Sequence, residues 1–206
     1  LAMRAYCHFD LLRLFGPMPT RTSTGKILPY VTTVGIDYHT HHTYQEFTEL
    51  LKNDLIDAEG LLKQVDPIIP AEKAGEELNL SVSAENFLLA RQVRFNYYAV
   101  KAMEARFFLW MGGETNKSAA YDCATELIEA EDSDGKLLFT LGSTDNLSKS
   151  DYSFSTEHIL AIYEYNLKDR AESAFTTNSS YSKAQNVLSP DLYPAGTTDI
   201  RYLGLW

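Results

Sequence analysis

Two cysteines in 206 residues, Cys7 and Cys123, are too few for a disulfide framework. Each falls within an apolar helical pattern, where a thiol serves as a small buried hydrophobe, and no disulfide is expected. Clustered basic residues are missing as well. Lys and Arg number 18 against 28 Asp and Glu, a formal net charge of −10. That balance argues against nucleic acid as a partner, because phosphate-backbone binding draws its affinity from grouped cations. No apolar run approaches the length of a bilayer-crossing helix. A Gly-rich phosphate loop, a Ser elbow and an HExxH pair are all lacking. Carboxylates abound, but Glu126, Glu129, Glu131 and Asp132 form the kind of charge run that usually lies on a solvated face. A glycosidase would need two carboxylates facing each other across a cleft, and spacing alone supplies no such pair. The expectation is a protein that is not an enzyme and needs no cofactor.

What is present is apolar and aromatic: 45% hydrophobic residues and 12% Phe, Trp and Tyr, enough to bury a substantial core. Ala2, Ala5, Phe9 and Leu12 recur at helical spacing until Gly16-Pro17, which predicts a helix over 1–15. Thr20 to His42 has no sustained period and reads as a long loop, with an extended piece at ILPYV. Thr43 and Glu46 form a capping box ahead of Phe47, Leu50, Leu51, Leu55, Ala58, Leu61 and Leu62, an amphipathic helix with Glu49, Lys52, Asp57, Glu59 and Lys63 on its wet face.

The stretch RFNYYAVKAMEARFFLWMG (94–112) is apolar on nearly every side. Asn96 is its candidate cap. Val100, Met103, Phe107 and Trp110 line one side and Tyr98, Ala102, Ala105 and Leu109 another, with Lys101, Glu104 and Arg106 the only charged interruptions. Such a helix must be packed from several directions, and Trp110 is expected in the core. After Gly112-Gly113, Ala120, Cys123, Ala124, Leu127 and Ile128 predict a further helix ending near Asp134-Gly135, antiparallel to the one before. KLLFTL and EHILAIYEY are candidate strands in an otherwise loop-rich last third. His8 and His158, in apolar surroundings, read as satisfied core residues. The opening LAMRAY enters a helical pattern without a cap and the closing DIRYLGLW has no polar tail, so the chain is expected to be a piece of a longer protein.

Within the predicted hairpin, Ala105, Phe108, the glycine pair and Ala119 or Ala120 approximate the small, aromatic, Gly, Ala order of a tetratricopeptide repeat. Arg4-Ala5, Phe9 and Gly16 repeat the theme. Taken in order, LAMRAYCHFDLLRLFGPMP, FTELLKNDLIDAEGLL, NYYAVKAMEARFFLWMG and LSPDLY...DIR resemble the SusD/RagB family. The resemblance implies a mainly α fold of tetratricopeptide-like hairpins with long irregular loops and minor β structure. It also implies one domain over 1–206, helical scaffold over 1–134 and loop-rich over 135–206. Members of that family are surface-exposed outer-membrane lipoproteins that sit as a lid on a SusC-like TonB-dependent transporter and capture polysaccharide or oligosaccharide for import. Neither Cys7 nor Cys123 stands where the family carries its lipid, which places the anchor outside this chain.

Sugar binding needs flat aromatic faces for the apolar side of a pyranose, ringed by polar groups for its hydroxyls. Tyr38, Tyr152, Phe154, Tyr165, Tyr181 and Trp206 are the principal candidate rings, with Tyr30 and Tyr202 beside them. Asn146 and Arg170 are the principal polar candidates, with Asp151 and Asn178 beside them. Many such rings instead pin loops to a scaffold. Asp37, His39, His41 and His42 bring metal-ligating residue types together, but no second ligand pair accompanies them, and they read as solvated loop residues. The rival reading of the whole chain is a tetratricopeptide-type interaction scaffold without sugar binding.

Overall fold

The computed structural model describes residues 1–21, 24–66, 68, 91–132, 134–175, 193 and 199–200. It is mainly α-helical with one small two-stranded sheet. Two compact units divide it, Leu1–Phe139 and Thr140–Trp206.

The first unit begins with α1 (Ala2–Phe15), whose last turn closes through a Gly16 N–H donated to the Leu12 carbonyl. The predicted loop after it is better ordered than its composition suggests. β1 (Lys26–Pro29) pairs antiparallel with β2 (His41–Thr43), with Leu28 opposite His42 and Pro29 opposite His41. The ribbon runs straight into α2 (Tyr44–Val65). Thr43 caps that helix by accepting from the Glu46 N–H while the Glu46 carboxylate accepts from the Thr43 N–H, the reciprocal box that the sequence predicts. Phe47, Leu51, Leu55 and Ala58 are buried along one stripe, whereas Leu61 is exposed one turn from the end.

Asp66 joins α2 to α3 (Tyr97–Met111). Its buried carboxylate accepts two bonds from Arg91, at 2.9 and 2.7 Å, and others from the N–H groups of Ile68 and Tyr97. The last of these satisfies a donor at the start of α3, where helical N–H groups have no partner within the helix. Asn96 caps α3 through Ala99 N–H.

α3 is the centre of the unit, with α2 on one side and α4 (Glu114–Ile128) on another, and α1 also touches it. Tyr97, Tyr98, Val100, Met103 and Phe107 are buried. The core that holds Val100, Met103 and Phe107 continues through Phe9, Leu12, Tyr44 and Phe47. The expectation of a helix packed from several directions holds with two corrections. Leu109 is exposed, and Trp110 is half-buried at the edge of the core.

Gly112 and Gly113 form the turn into α4, at φ/ψ of 69°/−174° and 80°/155°. That region is open essentially only to glycine, and it reverses the chain within two residues so that α3 and α4 lie against each other along their length.

Cys123 on α4 is buried as expected, but Cys7 faces outward from α1, and both thiols are free. α4 stops at Ile128, short of the Asp134-Gly135 boundary expected from the pattern.

Neither candidate strand of the last third forms. Residues 136–141 hold an isolated bridge, Leu137 with Glu131, and residues 158–164 are irregular. Backbone bonds here are single, as by Leu138 N–H on Ala130 O and Thr140 N–H on Thr156 O, and among the described residues no neighbouring strand completes a ladder. Among the described residues the second unit instead carries two helices that the sequence reading missed, α5 (Thr144–Ser148) and α6 (Leu167–Phe175). Ser143 and Asn146 form a second capping box at the start of α5.

Candidate functional site

The predicted ligand residues separate by unit. Tyr38 belongs to the first and is fully exposed on the link between β1 and β2. Tyr30, beside it in sequence, is core: it stacks on His8 at 4.0 Å and its hydroxyl donates to Asp54. Arg4 grips the same carboxylate through two nitrogens, at 2.6 and 2.5 Å. Burial pushes the Tyr30 hydroxyl well above its ordinary value. Burial also works against ionised Asp54, but the bonds from Arg4 and Tyr30 outweigh it and hold the carboxyl below the usual range. His8 is buried between two backbone groups. Its Nδ1 donates to Arg4 O and its Nε2 accepts from Val31 N–H, which fixes the tautomer.

In the second unit, Tyr152 and Phe154 flank a loop wound around Asp151. Asn146 Nδ2, Ser153 Oγ and both the N–H and Oγ of Ser155 donate to that carboxylate at 2.8–2.9 Å. Those bonds outweigh desolvation and keep the Asp151 carboxyl far below the usual range. The loop is thus preorganised by its own polar groups, and Asn146 and Asp151 are occupied in holding it. Tyr152 is exposed, and Phe154 is half-buried with a left-handed backbone, φ 53°. Tyr165 is exposed just before α6, and Arg170 in that helix faces Glu164 at 3.5 Å. His158 is only half-buried and bonds Ser153 O. Tyr181, Trp206, Tyr202 and Asn178 lie outside the described residues.

His41 and His42 are neighbours on β2, one exposed and one half-buried. Among the described residues no group of three or more His, Cys, Asp or Glu side chains is placed to hold a metal ion.

Two constellations in the first unit escaped the sequence reading. One is a cavity of about 430 Å³ where the C-terminal ends of α1 and α3 meet the turn after α1, lined in part by Phe9, Arg13, Met18, Arg106, Trp110 and Met111. Trp110 meets Phe9 edge-on at 6.4 Å. The guanidinium groups of Arg13 and Arg106 stand 5.8 and 6.0 Å from the centre of the same Phe9 ring. The Phe9 ring itself is buried, and the two arginines cover it at the border of the cavity.

The other is polar and buried. Lys101 Nζ, with its side chain 9% exposed, lies 3.1 Å from Glu104, 3.2 Å from Glu59 and 3.3 Å from Glu126. The Tyr97 hydroxyl donates to Glu126, and Cys123 Sγ lies 3.7 Å from Glu104. One cation therefore ties α2, α3 and α4. Burial tends to discharge Lys101, but the charge of Glu104 and its neighbours prevails and raises its pKa. Burial raises the Glu104 carboxyl too, and Lys101 offsets this only in part. The arrangement is a structural clamp, with its cation already surrounded.

Comparison with protein-family models and with curated proteins gives no match for this chain.

Proposed function

We propose that the chain is part of a SusD-like glycan-capture protein. It binds polysaccharide or oligosaccharide at the bacterial cell surface, held there by a lipid anchor outside this chain, and hands it to a TonB-dependent transporter chemically unchanged. One observation carries the reading. Three of the four segments that bear the resemblance fold as α1, α2 and α3, successive members of one stack in which α3 packs against both of the others. The fourth, LSPDLY...DIR, falls largely outside the described residues. The α3–α4 hairpin with its two-glycine turn supports the finer assignment of a tetratricopeptide-like unit. Exposed rings at Tyr38, Tyr152 and Tyr165 supply the stacking faces that a pyranose needs.

A glycan array screened with the chain, followed by titration of the sugars retained, tests this. Tyr38→Ala, Tyr152→Ala and Tyr165→Ala together should weaken sugar binding by about tenfold or more at an unchanged melting temperature. No reducing ends should be released from the bound polysaccharide. Absence of glycan binding at millimolar concentration, with retention of a transporter-derived peptide, would replace this reading by that of a protein-interaction scaffold.

A further inference from the structure

α1 is apolar on both sides, and the fold of the unit uses one of them. Ala5, Phe9 and Leu12 are buried where the helix meets α2 and α3. The exposed residues of α1 are Met3, Cys7, Leu11, Arg13, Leu14 and Phe15, of which Arg13 alone is charged. The other five recur at intervals of four and three and form a single stripe along the outer side. Leu14 and Phe15 are 73% and 71% exposed. By contrast, α4 turns Glu114, Lys117, Ser118, Asp122 and Glu126 to water. Among the described residues nothing covers the α1 stripe, and a contiguous apolar patch of this kind marks a surface that associates. Its border points to the partner. Asp10 and Arg13 lie one turn apart on the same flank and meet through a single nitrogen at 3.3 Å, an exposed pair that exchanges readily. The whole chain carries −10, so two copies repel over most of their surface, whereas this flank offers one acid and one base in balance. A twofold axis sets such a surface against itself. With two α1 helices antiparallel and Leu11 at the axis, equal flanks meet. At a rise of about 1.5 Å per residue, Asp10 then stands nearly level with Arg13 of the other copy, and Cys7 with Phe15 of the other copy.

We infer that this face docks a second copy of the chain, as an antiparallel pair of α1 helices with Leu11 at the twofold axis and Asp10 of each copy bonded to Arg13 of the other. The inference is independent of the glycan reading. Five side chains supply on the order of half the ~800 Å² per partner of a standard interface, so the pair should be weak. Analytical ultracentrifugation of the chain tests it, and monomer should give way to dimer over about 1–100 μM. Leu11→Asp and Phe15→Asp should each weaken the dimer about tenfold or more. Both side chains are exposed, so these variants should fold, and an unchanged circular dichroism spectrum of the dilute monomer checks it. Asp10→Arg and Arg13→Asp should each weaken the dimer about threefold or more, and the double variant Asp10→Arg/Arg13→Asp should recover most of the loss. Under oxidation Leu11→Cys in a Cys7→Ser background should cross-link the two copies, whereas native Cys7, about 12 Å from its counterpart, should not. A chain monomeric up to about 1 mM leaves the stripe to a different partner and overturns the inference. So does a dimer indifferent to Leu11→Asp and Phe15→Asp, association that runs past the dimer, or cross-linking through Cys7 in place of position 11.

Discussion

Lys101→Met should be among the most destabilising single changes in the chain, and the clamp shows why. The ammonium is 3.1 Å from Glu104, whose side chain is 4% exposed, so at an effective dielectric of about 20 that one attraction amounts to about 5 kcal/mol before desolvation is set against it. Glu59 and Glu126, 25% and 44% exposed, can turn to water when the cation goes. Glu104 has no such route. Removing one partner of a buried pair costs about 3–5 kcal/mol because the other charge stays behind, which for a protein of this size lowers the melting temperature by roughly 6–20 °C. The double variant Lys101→Met/Glu104→Gln removes the stranded charge and should recover at least half of the loss. Acidity supplies a second check. A carboxyl whose folded pKa is raised binds its proton more tightly when folded, so the cost is absent below about pH 4 and grows as pH rises through the folded value. Urea denaturation at pH 4 and pH 7 measures both effects. A loss under about 1 kcal/mol at pH 7, or a double variant no more stable than the single one, would refute the claim that Lys101 neutralises a carboxylate inside the helix stack.

Gly112→Ala and Gly113→Ala should each cost about 1–3 kcal/mol in chemical denaturation although an added Cβ meets no atom within 4 Å, because the penalty comes from the backbone conformation alone. Thr43→Ala removes the cap of α2 and should cost about 1 kcal/mol by thermal melting, with Thr43→Ser nearly neutral. The depressed folded pKa of Asp54 supplies stability that is present above its unfolded value of about 4 and is lost as pH falls through the folded one. Asp54→Asn should therefore lower stability at pH 7 and flatten the pH dependence below pH 4, as followed by circular dichroism.

Local signals in the sequence were read correctly where they are self-contained. Thr43 and Glu46 cap α2 because both partners lie within one turn, and Asn96 starts α3 for the same reason. The Gly112-Gly113 pair marks the reversal because its backbone conformation is nearly closed to other residues. The candidate strands failed where apolar composition was asked to stand in for a partner: KLLFTL and EHILAIYEY have the residues of strands but, among the described residues, no neighbouring strand to bond. Among the candidate ring residues, Tyr30 looks like its loop neighbour Tyr38 in sequence. It differs in structure because Asp54 and His8 come from α2 and α1 to receive it.

The positions of α1, α2 and α3, the caps Thr43 and Asn96 and the two-glycine turn followed from the amino-acid order alone, since each depends on groups within a few residues of one another. The roles of the charged and aromatic side chains did not. Lys101 and Glu104 read as interruptions of a greasy helix, and only the approach of Glu59 from α2 and Glu126 from α4 makes them the polar centre of the stack. Arg13 and Arg106 stand 93 positions apart, and it is the folding of α1 against α3 that sets both beside Phe9. Electrostatic partnership depends on distance in space and on the exclusion of water, and neither exists until the helices have packed.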